Sequence, residues 1–277
     1  MEFGVTGVCF TEYPWKDFLQ AAVRLGVEAV ELDVSDTAHC STWTTELEPA
    51  PLVEDLKSAG LRAAAMGVPV DLVHADDAGI EAAAATVRAG MDLAFGYRSE
   101  VIRIPPQRMK PGVSREAALE SIKKTCGACL EQAEENGMLI CLAPDPDILN
   151  DLDAFSSVLD STDSYNLKAT LDPLELLRGS RDPEAVRTAI AGLIERTAHV
   201  VVRDGKINPE TGVVTEVPIG QGDCPVEMVV SEAMGVDFYR PFFVEYRGSG
   251  DVYESIKEGV DFFRDLPNRL LAEAGIL

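Results

Sequence analysis

Residues 166–175 read Asn-Leu-Lys-Ala-Thr-Leu-Asp-Pro-Leu-Glu. The apolar run from Leu167 to Leu171 predicts a buried strand, and Asp172 follows at its carboxyl-terminal tip, with Glu175 three residues later. In parallel α/β proteins the ligand lies at this edge of the sheet, so Asp172 is a candidate site residue. The alternative is that Asp172 caps the next segment, with Pro173 in the first helical turn.

The pattern of a short apolar strand followed by a helix recurs along the whole chain. Predicted strands cover 3–10, 27–34, 61–68, 100–104, 138–143, 167–171, 199–203 and 242–246. Predicted helices cover 14–25, 51–59, 80–95, 114–136, 151–159, 183–196, 225–234 and 251–264. Alternating strands and helices require a parallel sheet, and eight such units close into a barrel. The 277 residues contain no linker, which predicts one α/β domain, a (β/α)8 barrel, over residues 1–277.

The composition of the chain excludes several classes of partner. Its net charge is −23, whereas nucleic-acid binding needs clustered lysines and arginines. No segment is long and apolar enough to span a membrane, and the amino terminus lacks the pattern of a signal peptide. Six scattered cysteines do not suggest a disulfide framework. We therefore expect a cytoplasmic protein without a nucleic-acid or membrane partner.

The pair Cys126 and Cys129 forms a Cys-x-x-Cys motif in the predicted helix 114–136. Ala118, Ile122 and Ala133 fall on the same helical face as the two cysteines. This spacing favours a buried stripe of small residues over a redox or zinc site. A zinc site would also need a second pair, which the sequence does not contain.

Charged residues cluster at the predicted carboxyl-terminal tips of the strands. Besides Asp172 and Glu175, they are Glu31, Asp33, Arg103, Asp145, Arg203, Asp204, Glu245 and Arg247. Carboxylates that converge in a cleft can transfer protons or bind a metal, and arginines can clamp an anionic or hydroxylated substrate. We interpret Asp172 and Glu245 as functional, and Glu31 and Asp33 as charges that bridge the barrel rim.

Several motifs, in this order and spacing, resemble the xylose isomerase-like barrel superfamily. That superfamily includes sugar-phosphate isomerases and epimerases and the endonuclease IV enzymes. The motifs are residues 25–32, the strand end Thr170-Leu171-Asp172, residues 199–204, the loop 218–223, and Glu245. The resemblance covers nearly the whole chain and implies a TIM barrel. A DNA-repair endonuclease does not fit, because that class uses a His-rich metal site and this acidic chain has three His.

The resemblance also implies a metal site that this chain matches only in part. Members typically hold a divalent metal with a Glu after strand five, an Asp after strand six, a His on strand seven and a Glu on strand eight. Asp172 and Glu245 match the second and fourth ligands. Ala143 and Val201 stand at the other two positions and cannot coordinate a metal. Glu175 stands where the family usually has another His.

Two residues could replace the missing ligands, so the metal question stays open. Asp145 lies two residues beyond Ala143, and His199 lies two residues before Val201 on the same strand face. The expectation is either no metal or a degenerate site for Mn, Mg, Zn or Co.

We therefore expect a sugar or sugar-phosphate isomerase-like or epimerase-like protein that acts on a small polyhydroxylated substrate by carboxylate-mediated proton transfer. Glu245 is the predicted base, with Asp172 and Glu175 as catalytic partners. Predicted substrate-binding residues are Arg203, Arg247, Arg103, Asp145 and the loop residue His74. A lyase reaction stays open. The alternative is a non-catalytic sugar-binding or partner-stabilising barrel. Barrels of this kind often pair, so a homodimer stays open as an alternative to a monomer.

Overall fold

Eight parallel strands form a closed barrel in the computed structural model, which describes residues 1–35, 49–105 and 107–273. In space the strands follow the order β1, β10, β7, β6, β5, β4, β3, β2. The barrel strands are β1 Phe3–Thr6, β2 Ala29–Asp33, β3 Arg62–Gly67, β4 Val101–Ile104, β5 Leu139–Leu142, β6 Leu167–Leu171, β7 Thr197–Val202 and β10 Phe242–Val244. The predicted (β/α)8 barrel is confirmed.

Two further strands form a hairpin outside the barrel wall. β8 Asp204–Ile207 and β9 Val214–Val217 pair antiparallel, with Asp204 opposite Val217. The turn between them contains the sequence Asn-Pro-Glu-Thr-Gly at residues 208–212. Because β8 starts directly after β7, the hairpin lies at the carboxyl end of the barrel.

Ten α-helices are present in the described ranges, and most of them follow a barrel strand. They are α1 Trp15–Leu25, α2 Pro49–Ser58, α3 Asp77–Gly96, α4 Arg115–Gly127, α5 Leu130–Glu135, α6 Leu152–Leu159, α7 Pro173–Ser180, α8 Pro183–Leu193, α9 Val226–Gly235 and α10 Val252–Glu273. None of these helices combines the length and apolar character that crossing a membrane requires.

Local sequence signals set many helix ends. Gly26 ends α1 in the left-handed region at φ 67°, where a residue without Cβ is favoured. Ser114 caps α4, accepting a hydrogen bond from the backbone N–H of Ala117 at 3.2 Å. Asp151 caps α6 in the same way through the N–H of Ala154.

Three segments differ from their predicted form. The predicted helix 114–136 is broken between α4 and α5. The predicted first strand 3–10 ends at Thr6 and continues as a short 3-10 helix, Gly7–Cys9. The last helix runs beyond its predicted end at Arg264 and continues through Pro267 to Glu273. A proline inside a helix removes one hydrogen bond, and here the amphipathic face continues on both sides of it.

The core has two layers. The larger layer fills the space between the helices and the outer barrel wall, and the cysteine stripe belongs to it. Ala118, Ile122, Cys126, Cys129 and Ala133 are all buried there, which confirms the structural interpretation. The smaller layer fills the barrel interior and consists of Ala29, Ala64, Ala65, Val101, Leu139, Cys141, Ala198, Val201 and Phe243.

Candidate active site at the carboxyl end of the barrel

The guanidinium of Arg203, directly after β7, is surrounded by four carboxylates. Its Nη2 lies 2.5 Å from Oδ2 of Asp172 and 2.7 Å from Oε1 of Glu175. Its Nη1 lies 3.7 Å from Glu216 and its Nε lies 3.6 Å from Glu245. We call these five residues the Arg203 cluster. Burial opposes the charge of Arg203, but the carboxylates raise its pKa well above the ordinary value.

Asp172 has the two roles that its sequence position allows. Its Oδ1 accepts hydrogen bonds from the backbone N–H groups of Leu174 and Glu175 at 3.1 and 3.2 Å, so it caps α7, with Pro173 at the first helical position. Its Oδ2 pairs with Arg203. Burial raises the pKa of Asp172, and this effect outweighs the opposing charge of Arg203.

Glu245, just beyond β10, is held by three arginines. Its carboxylate lies 2.8 Å from Nη2 of Arg247, 3.6 Å from Nε of Arg203 and 3.9 Å from Nη2 of Arg103. Burial would raise the pKa of Glu245, but the charges of the three arginines lower it to about 2. Glu245 is therefore an anion throughout the neutral pH range.

The hairpin brings in Glu216, which the sequence analysis did not identify. Its Oε1 accepts a hydrogen bond from the backbone N–H of Arg247 at 2.7 Å, and its Oε2 lies 3.3 Å from Nη2 of Arg178. Burial raises the pKa of Glu216 despite the opposing charge of Arg203. Arg178 was also missed, although its position three residues after Glu175 on α7 fits their 2.6 Å ion pair.

A cavity of about 510 Å³ opens beside the Arg203 cluster. Its acidic lining side chains are Asp147, Glu175 and Glu216. Its lining arginines are Arg103, Arg108, Arg178, Arg203 and Arg247. Asp172 and Glu245 are fully buried behind this lining. The cavity therefore presents mainly positive charge and hydrogen-bond donors to a ligand, with two buried glutamates at its wall.

Two predicted substrate-binding residues lie elsewhere. Asp145 is fully buried, and its carboxylate accepts hydrogen bonds from the backbone N–H groups of Asp147, Ile148 and Leu149 at 2.5 to 3.0 Å. It therefore organises the loop after β5 and has no free face toward the cavity. His74 does not line the cavity, and its Nε2 contacts the carbonyl of Asp71 at 2.8 Å.

A second ion-paired group lies in the barrel interior, next to the Arg203 cluster. Nε of Arg103 donates to Oε1 of Glu31 at 2.8 Å, and Nε2 of His199 lies 2.8 Å from Oε2 of Glu31. Although burial would raise the pKa of Glu31, the charges of Arg103 and His199 lower it. Asp33 instead accepts hydrogen bonds from the backbone and hydroxyl of Ser35.

The residues at the expected metal position do not fit a divalent metal. Ala143 and Val201 are both buried and carry no donor atom. The two matching carboxylates, Asp172 and Glu245, already neutralise Arg203. Among the residues that the structure describes, no group of three or more His, Cys, Asp or Glu side chains is arranged to hold a metal ion.

Comparisons with known proteins agree with this architecture. The model of the family described as xylose isomerase-like TIM barrel matches residues 19–266. No curated protein sequence matches the chain. Among solved structures, the IolI protein with a bound zinc atom is similar at a TM-score of 0.81 and 15% identity, covering 97% of this chain and 99% of that one.

Two further solved structures show the same fold at low sequence identity. A D-tagatose 3-epimerase-like protein has a TM-score of 0.80 and 15% identity, covering 99% of this chain and 100% of that one. The probable 3-DHS dehydratase AsbF from Bacillus anthracis has a TM-score of 0.73 and 17% identity, covering 95% of this chain and 99% of that one. Each likeness is one of fold.

Proposed function

The chain belongs to the xylose isomerase-like TIM barrel family, and from this premise we propose that it is an isomerase or epimerase of a small, anionic, polyhydroxylated substrate. The observation that carries the proposal is the 510 Å³ cavity lined by five arginines beside four carboxylates. Guanidinium groups bind carboxylates and phosphates through paired hydrogen bonds. A sugar acid or sugar phosphate has both the charge and the hydroxyl groups that this lining can bind.

Arg203 supplies the fixed positive charge of the proposed reaction. Proton removal from a carbon next to a carbonyl sends the bonding electrons to the carbonyl oxygen and forms an enolate. A guanidinium held rigidly by Asp172 and Glu175 can stabilise that oxygen without reorganising during the reaction. Arg247 also lines the cavity and can bind the anionic group of the substrate.

We assign the proton transfer to the glutamates that reach the cavity. Glu216 lines it and has a raised pKa, which makes its carboxylate a better base. Glu175 lines the same wall. The role of base predicted for Glu245 suits this residue less well, because its pKa is about 2 and because its partner Arg247 lines the cavity whereas Glu245 does not. Glu245 and Asp172 act instead as fixed anions that hold Arg203 in place.

The second candidate is a non-catalytic sugar-binding barrel. The observation that favours it is the pair Ala143 and Val201, which removes two donor positions of the family's metal site. The same arginine-lined cavity would then bind its ligand without turnover.

The decisive test follows the exchange of carbon-bound hydrogen with solvent. The protein is incubated in D2O with ketoses, aldoses, sugar acids and their phosphates, and deuterium incorporation is measured by proton NMR. We expect incorporation at one carbon, reduced about 10²- to 10⁴-fold by Glu216→Gln. Glu184→Gln is the matched control, since Glu184 lies on the exposed face of α8. Binding of a sugar without any exchange would support the second candidate.

The metal content of the purified protein tests the role of Arg203 separately. We expect far less than one Mn, Mg, Zn or Co per chain, because the donor set does not fit. A near-stoichiometric metal that disappears in Asp172→Ala would contradict the assignment of Arg203 as the permanent cation of the site.

A further inference from the structure

A second cavity, of about 360 Å³, opens at the opposite, amino-terminal end of the barrel. Its lining residues lie where the strands begin. Arg62 is the first residue of β3, Arg98 precedes β4, and Arg240 precedes β10. Its volume is in the range that small-molecule sites occupy. No residue of the Arg203 cluster contributes to its lining.

The charge of this amino-terminal cavity is opposite to that of the whole chain. Three arginines and one acidic residue, Glu100, line it in a protein of net charge −23. Arg62 pairs with Glu2 and Arg240 lies 3.5 Å from Glu100. Arg98 makes no ion pair with any residue that the structure describes.

The neighbouring surface carries charges of both signs. An adjoining cavity shares Ala198, Tyr239 and Arg240 with the first one and is lined by Lys168 and by the acidic residues Glu195 and Asp237. Burial lowers the pKa of Lys168, and the nearby charges of Arg196 and Arg240 lower it further. An anion that binds between Lys168 and Arg240 would relieve the repulsion between their positive charges.

His199 provides an independent sign of a ligand. Its ring lines the cavity, is 1% exposed, and stacks on Phe243 with ring centroids 4.8 Å apart. Nε2 lies 2.8 Å from Oε2 of Glu31 as an ion pair, but neither Nε2 nor the buried Nδ1 makes a hydrogen bond with any residue that the structure describes. A buried nitrogen without a partner is costly, so a ligand atom at this position would be stabilising.

We propose that the amino-terminal cavity binds an oxyanion, the phosphate or carboxylate group of a small molecule, through Arg62, Arg98, Arg240 and Nδ1–H of His199. Guanidinium groups suit this ligand because each can donate two parallel hydrogen bonds to one oxyanion. The site lies at the other end of the barrel from the proposed reaction and does not depend on it.

Calorimetric titration of the full chain with inorganic phosphate and with malonate tests the proposal and distinguishes the two oxyanions. We expect binding of at least one of them, weakened about tenfold or more by Arg98→Gln and by Arg240→Gln. Arg187→Gln is the matched control, because it removes an arginine of the exposed face of α8. Unchanged affinity in both cavity variants would overturn the proposal.

A third variant separates this site from the cavity at the carboxyl end. Arg247→Gln changes only the latter, where the anionic group of the substrate is proposed to bind, and it is expected to leave unchanged the binding that Arg98→Gln and Arg240→Gln weaken. Loss of binding in Arg247→Gln, with full binding in Arg240→Gln, would place the anion beside the Arg203 cluster and overturn the proposal while leaving the proposed reaction intact.

Imidazole NMR gives a readout that does not rely on removing an arginine. A His39→Gln, His74→Gln variant leaves His199 as the lone histidine of the three. In a sample labelled with nitrogen-15 at histidine, the bound anion is expected to shift the Nδ1 signal of His199 more than the Nε2 signal. A spectrum that does not change at saturating anion would contradict the contact.

Discussion

The two ends of this barrel carry arginines in opposite circumstances. At the carboxyl end, Arg203 is 4% exposed and lies within 4 Å of four carboxylates. At the amino-terminal end, three arginines share one cavity with a single acidic residue, Glu100. Buried charges that compensate one another are costly to separate, whereas charges left in excess at a cavity are available to a ligand. The charge of the same residue type is therefore compensated by several carboxylates at one end and only in part at the other.

The largest expected effect comes from removing the central cation. Arg203→Met leaves the buried carboxylates of Asp172 and Glu245 without their shared partner. We expect the free energy of unfolding to fall by about 3–5 kcal/mol, as for other broken buried ion pairs. Urea unfolding followed by circular dichroism measures it. A loss below about 1 kcal/mol would mean that the cluster does not stabilise the fold.

The second expected effect is a dependence of the free energy of unfolding on pH that arises from Glu245. Its pKa is lowered from 4.5 to about 2 in the folded protein, so the unfolded chain binds the proton more tightly. The stability that Glu245 contributes is therefore complete above its unfolded pKa and is lost as the pH falls toward 2. Asp172 and Glu216 have raised pKa values and act with the opposite sign.

A comparison of variants isolates that contribution. The destabilisation caused by Glu245→Gln, measured by urea unfolding, is expected to shrink by about 2 kcal/mol between about pH 6 and about pH 3. If the difference in the free energy of unfolding between the unchanged protein and Glu245→Gln stays constant over this range, the arginines do not lower the pKa of Glu245.

A smaller effect is expected at Asp145, which lies near the cavity without entering it. Asp145→Ala leaves the backbone N–H groups after β5 without their acceptor, and we expect a loss of about 1–2 kcal/mol in the free energy of unfolding. The exposed neighbour Asp147 provides the control, since Asp147→Ala removes the same charge. Equal losses in both variants would contradict the loop-organising role of Asp145.

The smallest effect is expected at the amino-terminal end. Arg62→Gln breaks a paired contact with Glu2, but the Arg62 side chain is 53% exposed, so the loss should stay below about 1 kcal/mol. Thermal and urea unfolding both measure it. A loss above about 2 kcal/mol would show that these arginines also stabilise the fold, and the contrast between the two ends would disappear.

The barrel could be predicted from the sequence because its signals are local. Short apolar runs, helix-ending glycines such as Gly26, and the N-cap Ser114 each act within a few residues. The strand-end positions of Asp172 and Glu245 followed from the same pattern. Helix continuity was harder to predict, because the packing that keeps α10 intact through Pro267 is not visible in the local sequence.

The partners of the charged residues could not be predicted, because they depend on long-range contacts. Glu216 reaches Arg203 only after the β8–β9 hairpin folds over the carboxyl end, and the turn sequence gives no sign of that direction. Asp145 and Asp172 both follow strands in the sequence. The carboxylate of Asp145 accepts hydrogen bonds from its own loop, whereas the carboxylate of Asp172 also pairs with Arg203. Only the structure distinguishes these two arrangements.

The ion pairs in the barrel interior connect the two cavities. His199, Glu31, Arg103 and Glu245 follow one another at separations of 2.8, 2.8 and 3.9 Å. If an anion at the amino-terminal mouth alters the affinity for a substrate at the carboxyl-terminal mouth, the substrate alters the affinity for the anion by the same factor, and this row of ion pairs is the physical connection between the two sites.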